Sequence, residues 1–464
     1  MSNYKPISDN LALEIENAVA PARVTRQKDA MQEFGKDSGE IEHLPEMVVE
    51  ATKTAQVQGL LRLANRHHFP VTPRGTGTGL AGGSVPSAGG VLLSLAGMNR
   101  IISIEEDNLV AVVEPGVINL DLKNAARQKG LFYPPDPVSL DTSSVGGNAA
   151  TNAGGPSCIK YGTTRDYILG MEAVLPSGDV IEAGVRTRKG VVGYDMVHLI
   201  AGSEGTLGII TRLILNLIPH PRAVNTMVAI FPTIIHAMNS INATLTAGHV
   251  PCAMEFMDRK CLDLVGDLLP FEGLETADTF LLVEIDGRPD TLADELEEIG
   301  MLLMENGAIN VLMAPDSKKR KRMWDIRREV SLRIEEKSPV WIPEDIVVPI
   351  GKIAALVACL PEFEQRYEIK IYSFGHAGDG NIHLNVTAGD SSRKEAVEGG
   401  IQEILRTVIS MGGTISGEHG IGMVKKELLG LELSEENIRI QEGIKRLFDP
   451  NMILNPGKIF PSRV

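Results

Sequence analysis

Short β-branched apolar runs separated by glycine turns fill the chain from about Leu44 to Pro219, and longer amphipathic stretches take over beyond it. In the first half, Val91 to Leu95, Val110 to Val113 and Met171 to Leu175 read as strands, because brief Val- and Leu-rich runs bounded by Gly and Pro suit extended backbone. A further extended piece is predicted at Phe69 to Thr72. Gln56 to Arg66 and Leu120 to Gln128 repeat their apolar positions at helical spacing. After Pro219-His220-Pro221, helices are predicted over Ala293 to Glu305, Lys318 to Lys337 and Lys394 to Met411, between isolated strands such as Phe280 to Glu284 and Ile369 to Phe374. The texture is that of an α+β protein: a mixed first part, then an antiparallel sheet covered by helices. At 464 residues the chain exceeds one hydrophobic core. The pattern divides it into two halves at about Pro219.

Charge and cysteine usage narrow the class. A net charge of −15 argues against nucleic acid or an anionic membrane as the main partner. Cys158, Cys252, Cys261 and Cys359 show no CxxC spacing, so no iron–sulfur or structural zinc framework is offered. Met1 to Ala20 lacks a basic segment followed by an apolar core, and no apolar run approaches the ~20 residues that span a bilayer. A cytoplasmic protein is expected, reaching a membrane only through a partner.

Three small-residue tracts carry the first candidate chemistry. Pro73-Arg74-Gly75-Thr76-Gly77-Thr78-Gly79-Leu80-Ala81-Gly82-Gly83 holds five glycines and two threonines in eleven residues, a backbone able to wrap its N–H groups around a phosphate. Gly77, Gly79 and Gly82 fit the dinucleotide fingerprint, but a strand rather than a helix follows, so a structural glycine turn is an equal reading. The second tract runs from Pro134 to Gly155 and the third from Gly202 to Ile210. Three such tracts among β-branched strands suggest backbone held close to a large flat ligand.

The second constellation lies at Gly375 to Val386. Asp379-Gly380 predicts a two-residue hairpin turn, which would pair His376 with His383 on one face, able to grip a metal ion, with Asn385 on the same face. Glu418, in another glycine-flanked stretch before His419, is a further ligand candidate; two surface histidines and a charged loop explain the residues equally well. On the predicted helix Lys318 to Lys337, Arg327 falls within the apolar stripe of Met323, Ile326, Val330 and Ile334. Such a guanidinium either meets a buried carboxylate of the protein or binds a substrate carboxylate, with Ser331 one turn on. Arg74 is either a structural partner or a second anion contact.

The order and wording of these tracts resemble the FAD-linked oxidase family, with its vanillyl-alcohol-oxidase type of flavin domain, across nearly the whole chain. The resemblance implies a two-part FAD-binding domain over 1–219, a cap domain with a metal site over 220–420, and a tail over 421–464 that returns toward the flavin. It implies that Pro73, Arg74, Gly75, Thr76, Gly77, Thr78, Gly79, Leu80, Gly82 and Gly83 cradle the FAD pyrophosphate. Pro137, Ser143, Gly146, Gly147, Asn148, Thr151, Asn152, Gly154 and Gly155 would line the flavin with Glu204, Gly205, Gly208, Ile209 and, from the tail, Asn455. No histidine stands between His68 and His198, so these tracts offer no histidyl link and FAD is expected to bind non-covalently.

The histidine and Gly417-Glu418-His419-Gly420 tracts are similar to those of the family's D-2-hydroxyacid dehydrogenase branch. That similarity implies His376, His383 and Glu418 as ligands of a divalent metal, commonly zinc with manganese or iron as alternatives, and His419 as the catalytic base. Trp324-Asp325-Ile326-Arg327 matches the context of an arginine that binds the substrate carboxylate; Ser331, Asn385 and Arg74 are read as further substrate contacts. The implied reaction takes a small D-2-hydroxy acid to its 2-keto acid and passes electrons to an electron-transferring flavoprotein, an iron–sulfur subunit or a quinone. Trp341 to Pro349 carries Glu344-Asp345 and no lysine, which resembles the lactate and glycolate branch more than the 2-hydroxyglutarate branch. A homodimer is compatible with all of this. The rival readings are a D-2-hydroxyglutarate dehydrogenase, a metal hydrolase whose glycine tracts are only turns, and a non-catalytic flavoprotein subunit.

Overall fold

Two units make up the computed structural model, which describes residues 4–269, 272–314 and 316–462. The first unit holds the residues through Gly154, Thr163–His220, and those from Glu418 onward. Its strands β1 (Arg23–Thr25), β2 (Met47–Glu50), β3 (Val71–Arg74) and β4 (Val91–Ser94) form a sheet in the order β1-β2-β4-β3, with β2 and β3 parallel to β4. Parallel strands covered on both faces need continuous apolar runs. Accordingly every position of β4 is buried: Val91 and Leu93 join Ile15, Leu60, Leu61 and Phe69 in one core, and Leu92 meets Val48 and Met31 on the other side. The helices Asp9–Val19 and Thr54–His67 supply the first of these layers.

β5 (Ile101–Glu105), β6 (Val110–Val113), β7 (Leu131–Phe132), β8 (Ile168–Val174), β9 (Val180–Gly184), β10 (Ile209–Asn216) and β11 (Ile218–Pro219) follow. Five of them make an antiparallel sheet ordered β5-β6-β10-β8-β9, and β7 pairs with β11.

The second unit comprises Gly155–Gly162 and Pro221–Gly417. β12 (Ala223–Phe231), β13 (Ala253–Met257), β14 (Thr279–Gly287), β15 (Asn310–Met313), β16 (Val340–Val347), β17 (Lys370–His376) and β18 (Asn381–Ala388) form one sheet in the order β15-β12-β14-β13-β17-β18-β16. All its pairings are antiparallel. The helix Ser317–Lys337 lays Met323, Ile326, Val330 and Ile334 against Val228, Ile230, Phe280, Leu282, Tyr372 and Phe374 of that sheet.

Three local expectations change. The strand before the first glycine tract runs over Val71–Arg74, so Pro73 and Arg74 end a strand paired to β4 rather than open a loop. Within the second tract, Val145–Thr151 is helical, because the Ser144 hydroxyl accepts from Gly147 N and caps it. Gly155–Gly162 clusters with the second unit, and the chain re-enters the first unit at Glu418.

Candidate functional site

In the first unit the three glycine tracts come together. Ser144 N donates to the Thr76 hydroxyl at 3.2 Å, joining the second tract to the first. Gly202 N and Glu204 N donate to Ala149 O and Ala150 O, joining the third to the second. From the tail, Asn455 Nδ2 donates to Gly83 O at 2.9 Å and Glu204 O at 2.7 Å, while Leu454 bridges to Val71. The Glu204 carboxylate accepts from Ile421 N and Gly422 N, both at 2.8 Å. Burial raises its pKa despite those bonds and the nearby Lys458.

What the tracts leave unpaired fits a bound phosphate-bearing ring system. Among the described residues, the backbone N–H groups of residues 75–79 donate to no protein acceptor. A Cβ placed on Gly79 or Gly83 would meet nothing nearer than 3.6 Å, an ordinary van der Waals contact, so neither backbone is crowded by the protein. Ser143 Oγ, Asn148 Nδ2 and Ser203 Oγ are buried without a protein partner. Buried polar atoms are rarely orphaned, so a polar ligand is the expected occupant. Arg74 behaves differently. Its guanidinium donates to Lys36 O at 2.6 Å, with Ser84 Oγ and Glu33 O at 3.4 Å, which is the structural role. Asn152 also works inwardly, accepting from Arg165 N at 2.9 Å.

In the second unit, β13, β17, β18 and β16 bring a polar group onto one face. The observed register opposes His376 to Asn381 and His383 to Phe374, not His376 to His383. The turn holds four residues, 377–380, with His376 O accepting from Asp379 N and Gly380 N. His376 and His383 are therefore diagonal neighbours on one face, rings perpendicular at 88° and Nε2 atoms 3.4 Å apart. That separation is long for a hydrogen bond. It is close to the ~3.3 Å that two nitrogens, each about 2.0–2.1 Å from a tetrahedral ion, span across it.

Around the pair stand residues that sequence reasoning missed. Glu255 of β13 lies opposite His376, with Oε1 on His376 Nδ1 and Oε2 accepting from Arg327 Nε at 2.9 Å. Burial would raise its carboxyl, but His376 and Arg327, with His383 beyond, bring it down to about 2. A glutamate in the otherwise apolar run Ala253–Met257 was the available signal.

Asp345 of β16 lies opposite His383 of β18, its Oδ1 4.0 Å from Nδ1, and accepts from Asn381 Nδ2 at 2.7 Å and Gly417 N at 2.8 Å. Asn385 accepts from Trp341 Nε1 at 2.6 Å. Arg327 is buried and stacks over the Phe374 ring at 4.3 Å. Only its Nε meets an acceptor among the described residues, so both terminal NH2 groups keep their donors. Ser331, one turn on, is half-buried. Asp345 and His383 offer ligand atoms within 4.8 Å of each other, as do Glu418 and His419, which follow Gly417 directly.

Comparisons with known proteins give the family and the fold. The FAD binding domain family matches residues 45–184, and the C-terminal domain of FAD linked oxidases matches 220–459. Glycolate oxidase subunit GlcD of Bacillus subtilis is 39% identical over 419 residues, covering 90% of this chain and 89% of that protein. D-lactate dehydrogenase of Anaerostipes hadrus is 38% identical over 457 residues, 95% of each chain. D-2-hydroxyglutarate dehydrogenase of Stutzerimonas stutzeri is 33% identical over 459 residues, covering 96% and 98%. Among solved structures, p-cresol methylhydroxylase with substrate bound superposes with a TM-score of 0.79 over 96% of this chain and 95% of that one. At 17% identity that likeness is one of fold, the vanillyl-alcohol-oxidase type.

Proposed function

The chain belongs to the FAD-linked oxidase family, in its D-2-hydroxyacid dehydrogenase branch, and from that premise we propose that it oxidises a small D-2-hydroxy acid, D-lactate or glycolate, to the 2-keto acid. One observation carries the reading: Arg327 is held through Nε alone by Glu255, the carboxylate that also meets His376, and its NH2 pair is unclaimed among the described residues. A guanidinium fork in that state suits a carboxylate bidentately. FAD would supply the hydride acceptor, and a divalent cation would supply the charge that lowers the pKa of the substrate hydroxyl.

The chain's own residues then have separate tasks. Arg327 orients the carboxylate, with Ser331 and Asn385 beside it. His376, His383 and Glu418 would hold the cation, a nitrogen–oxygen set suited to zinc, manganese or ferrous iron. His419 takes the hydroxyl proton onto an imidazole nitrogen. The buried Asp345 carboxylate beside His383 opposes the second negative group of a dicarboxylate, which favours lactate and glycolate over 2-hydroxyglutarate. The four cysteines show no CxxC spacing, so a relay beyond the flavin is assigned to an acceptor outside this chain: an electron-transferring flavoprotein, an iron–sulfur subunit or a quinone. The word "subunit" in the name of the Bacillus subtilis relative supports an assembly of several parts.

The test is anaerobic mixing of the purified yellow protein with D-lactate, L-lactate, glycolate, malate and D-2-hydroxyglutarate, following the flavin absorbance. D-lactate and glycolate are expected to bleach it. Bleaching by D-2-hydroxyglutarate alone would move the substrate, and no bleaching by any acid with metal present would leave a non-catalytic subunit.

A further inference from the structure

Glu255 is the centre of a buried junction. All five positions of β13 are buried, and Glu255 itself is 1% exposed. An ionised carboxylate in such a strand needs donors on both oxygens. One oxygen meets His376 Nδ1 and the other Arg327 Nε, and the sheet register sets Glu255 directly opposite His376. We propose that Glu255 is a positioning residue that sets the metal-binding imidazole and the substrate-binding guanidinium together, so that one carboxylate couples metal affinity to substrate affinity. The inference rests on the function proposed above and adds a coupling between its two binding steps.

The physical reason lies in what each partner must present. An imidazole that donates Nδ1–H to a carboxylate keeps its Nε2 lone pair outward, in this case toward Nε2 of His383. A guanidinium held at Nε has its plane fixed, and its two NH2 groups point away as a fork. Both partners are donors, and a carboxylate has an acceptor for each. A carboxamide keeps an acceptor oxygen on one side and turns an NH2 donor to the other, so in this arrangement only one of the two donors still faces an acceptor.

The experiment compares wild type, Glu255→Gln and Glu284→Gln as FAD-bound protein. Glu284 is the control: a buried carboxylate of the next strand that holds Arg320, Trp324 and Thr226. Zinc affinity is measured by competition with a fluorescent chelator, and KM for D-lactate by steady-state kinetics. Glu255→Gln is expected to weaken zinc about 10–100-fold, the usual effect of losing a partner of a ligating histidine, and to raise KM in the same variant with FAD content unchanged. Glu284→Gln is expected to leave zinc affinity at the wild-type value. Wild-type zinc affinity and KM in Glu255→Gln would overturn the proposal, and so would a zinc loss equal in both variants, which would mark a general loss of structure. Should Glu255→Gln not fold, Glu255→Asp, which withdraws the carboxylate by one methylene, takes its place under the same outcomes. If the wild type binds neither zinc nor manganese, the metal assigned under the proposed function fails; the positioning role is then decided by KM, and an unchanged KM overturns it.

Discussion

Arg327 is held at its base by Glu255 and Phe374, and in the proposed reading its fork is left for a substrate carboxylate. Lysine has a point charge and no fork, so Arg327→Lys can satisfy Glu255 or the substrate, not both. Each charge-assisted hydrogen bond lost is worth roughly 1.5–3 kcal/mol, so KM for D-lactate is expected to rise at least about tenfold, with kcat less affected. Steady-state kinetics decides it; an unchanged KM would remove Arg327 from the substrate. Two substitutions test the roles proposed for Glu418 as ligand and His419 as base. Glu418→Gln, a neutral amide for an anionic oxygen, is expected to lower metal content at saturating FAD. His419→Asn is expected to keep both groups while slowing flavin reduction about 10²–10⁴-fold, the range for a lost general base. Stopped-flow reduction at the wild-type rate in His419→Asn would exclude the base assignment.

At the scale of elements, the β17–β18 hairpin shows how far local pattern reaches. Asp379-Gly380 predicts a two-residue turn, yet the loop holds four residues, because the neighbours set the register: β17 is locked to β13 through Glu255 and His376, and β18 to β16 through Asp345 and His383. The slip is two residues, which preserves the face, whereas one would have sent His383 to the other side. The metal-pair expectation thus kept its face while its pairing was wrong. Gly380 sits at φ +88°, and a Cβ there would lie 2.1 Å from Val348 O. Gly380→Ala therefore has to move the turn. We expect a melting temperature lower by at least about 2–4 °C, the shift for ~1 kcal/mol in a domain of this size, with metal lost and flavin kept. Calorimetry with metal analysis checks this, and full metal content would detach the hairpin from the site.

For the whole molecule, the tail that closes the first unit carries a pH signature. Lys458 Nζ reaches the backbone of Val85, and burial pushes its pKa down to about 7, although Asp37 and Glu204 pull the other way. Between about pH 7 and 10.5 the unfolded chain then holds a proton that the folded chain does not, so stability rises with pH across that window. Below pH 7 both states are protonated and the cost of the buried charge is fully present. Lys458→Met is expected to flatten the rise, which one such group can make as steep as about 1.4 kcal/mol per pH unit. Urea midpoints at pH 7 and 9.5 measure it; parallel profiles for variant and wild type would contradict it. The flavin is expected to leave the protein completely on acid precipitation, and colour that stays with the pellet would show a covalent link.

The sequence by itself determined what depends on composition and short-range order. The alternation of apolar runs and glycine tracts marked the α+β character and both texture zones, the order of the tracts carried the family resemblance that names FAD, and helical spacing placed Arg327 in an apolar stripe. Tertiary structure alone decided what depends on partners distant in the chain. Glu255 stands 72 residues from Arg327 and 121 from His376, and Asp345 stands 72 from Gly417, so no local pattern could join them. Arg74 was undecided in the sequence for the same reason: only folding brought Lys36 O and Glu33 O to its guanidinium. Hydrophobic periodicity is written residue by residue, whereas the pairing of a buried charge is settled only when strands far apart in the chain share a sheet.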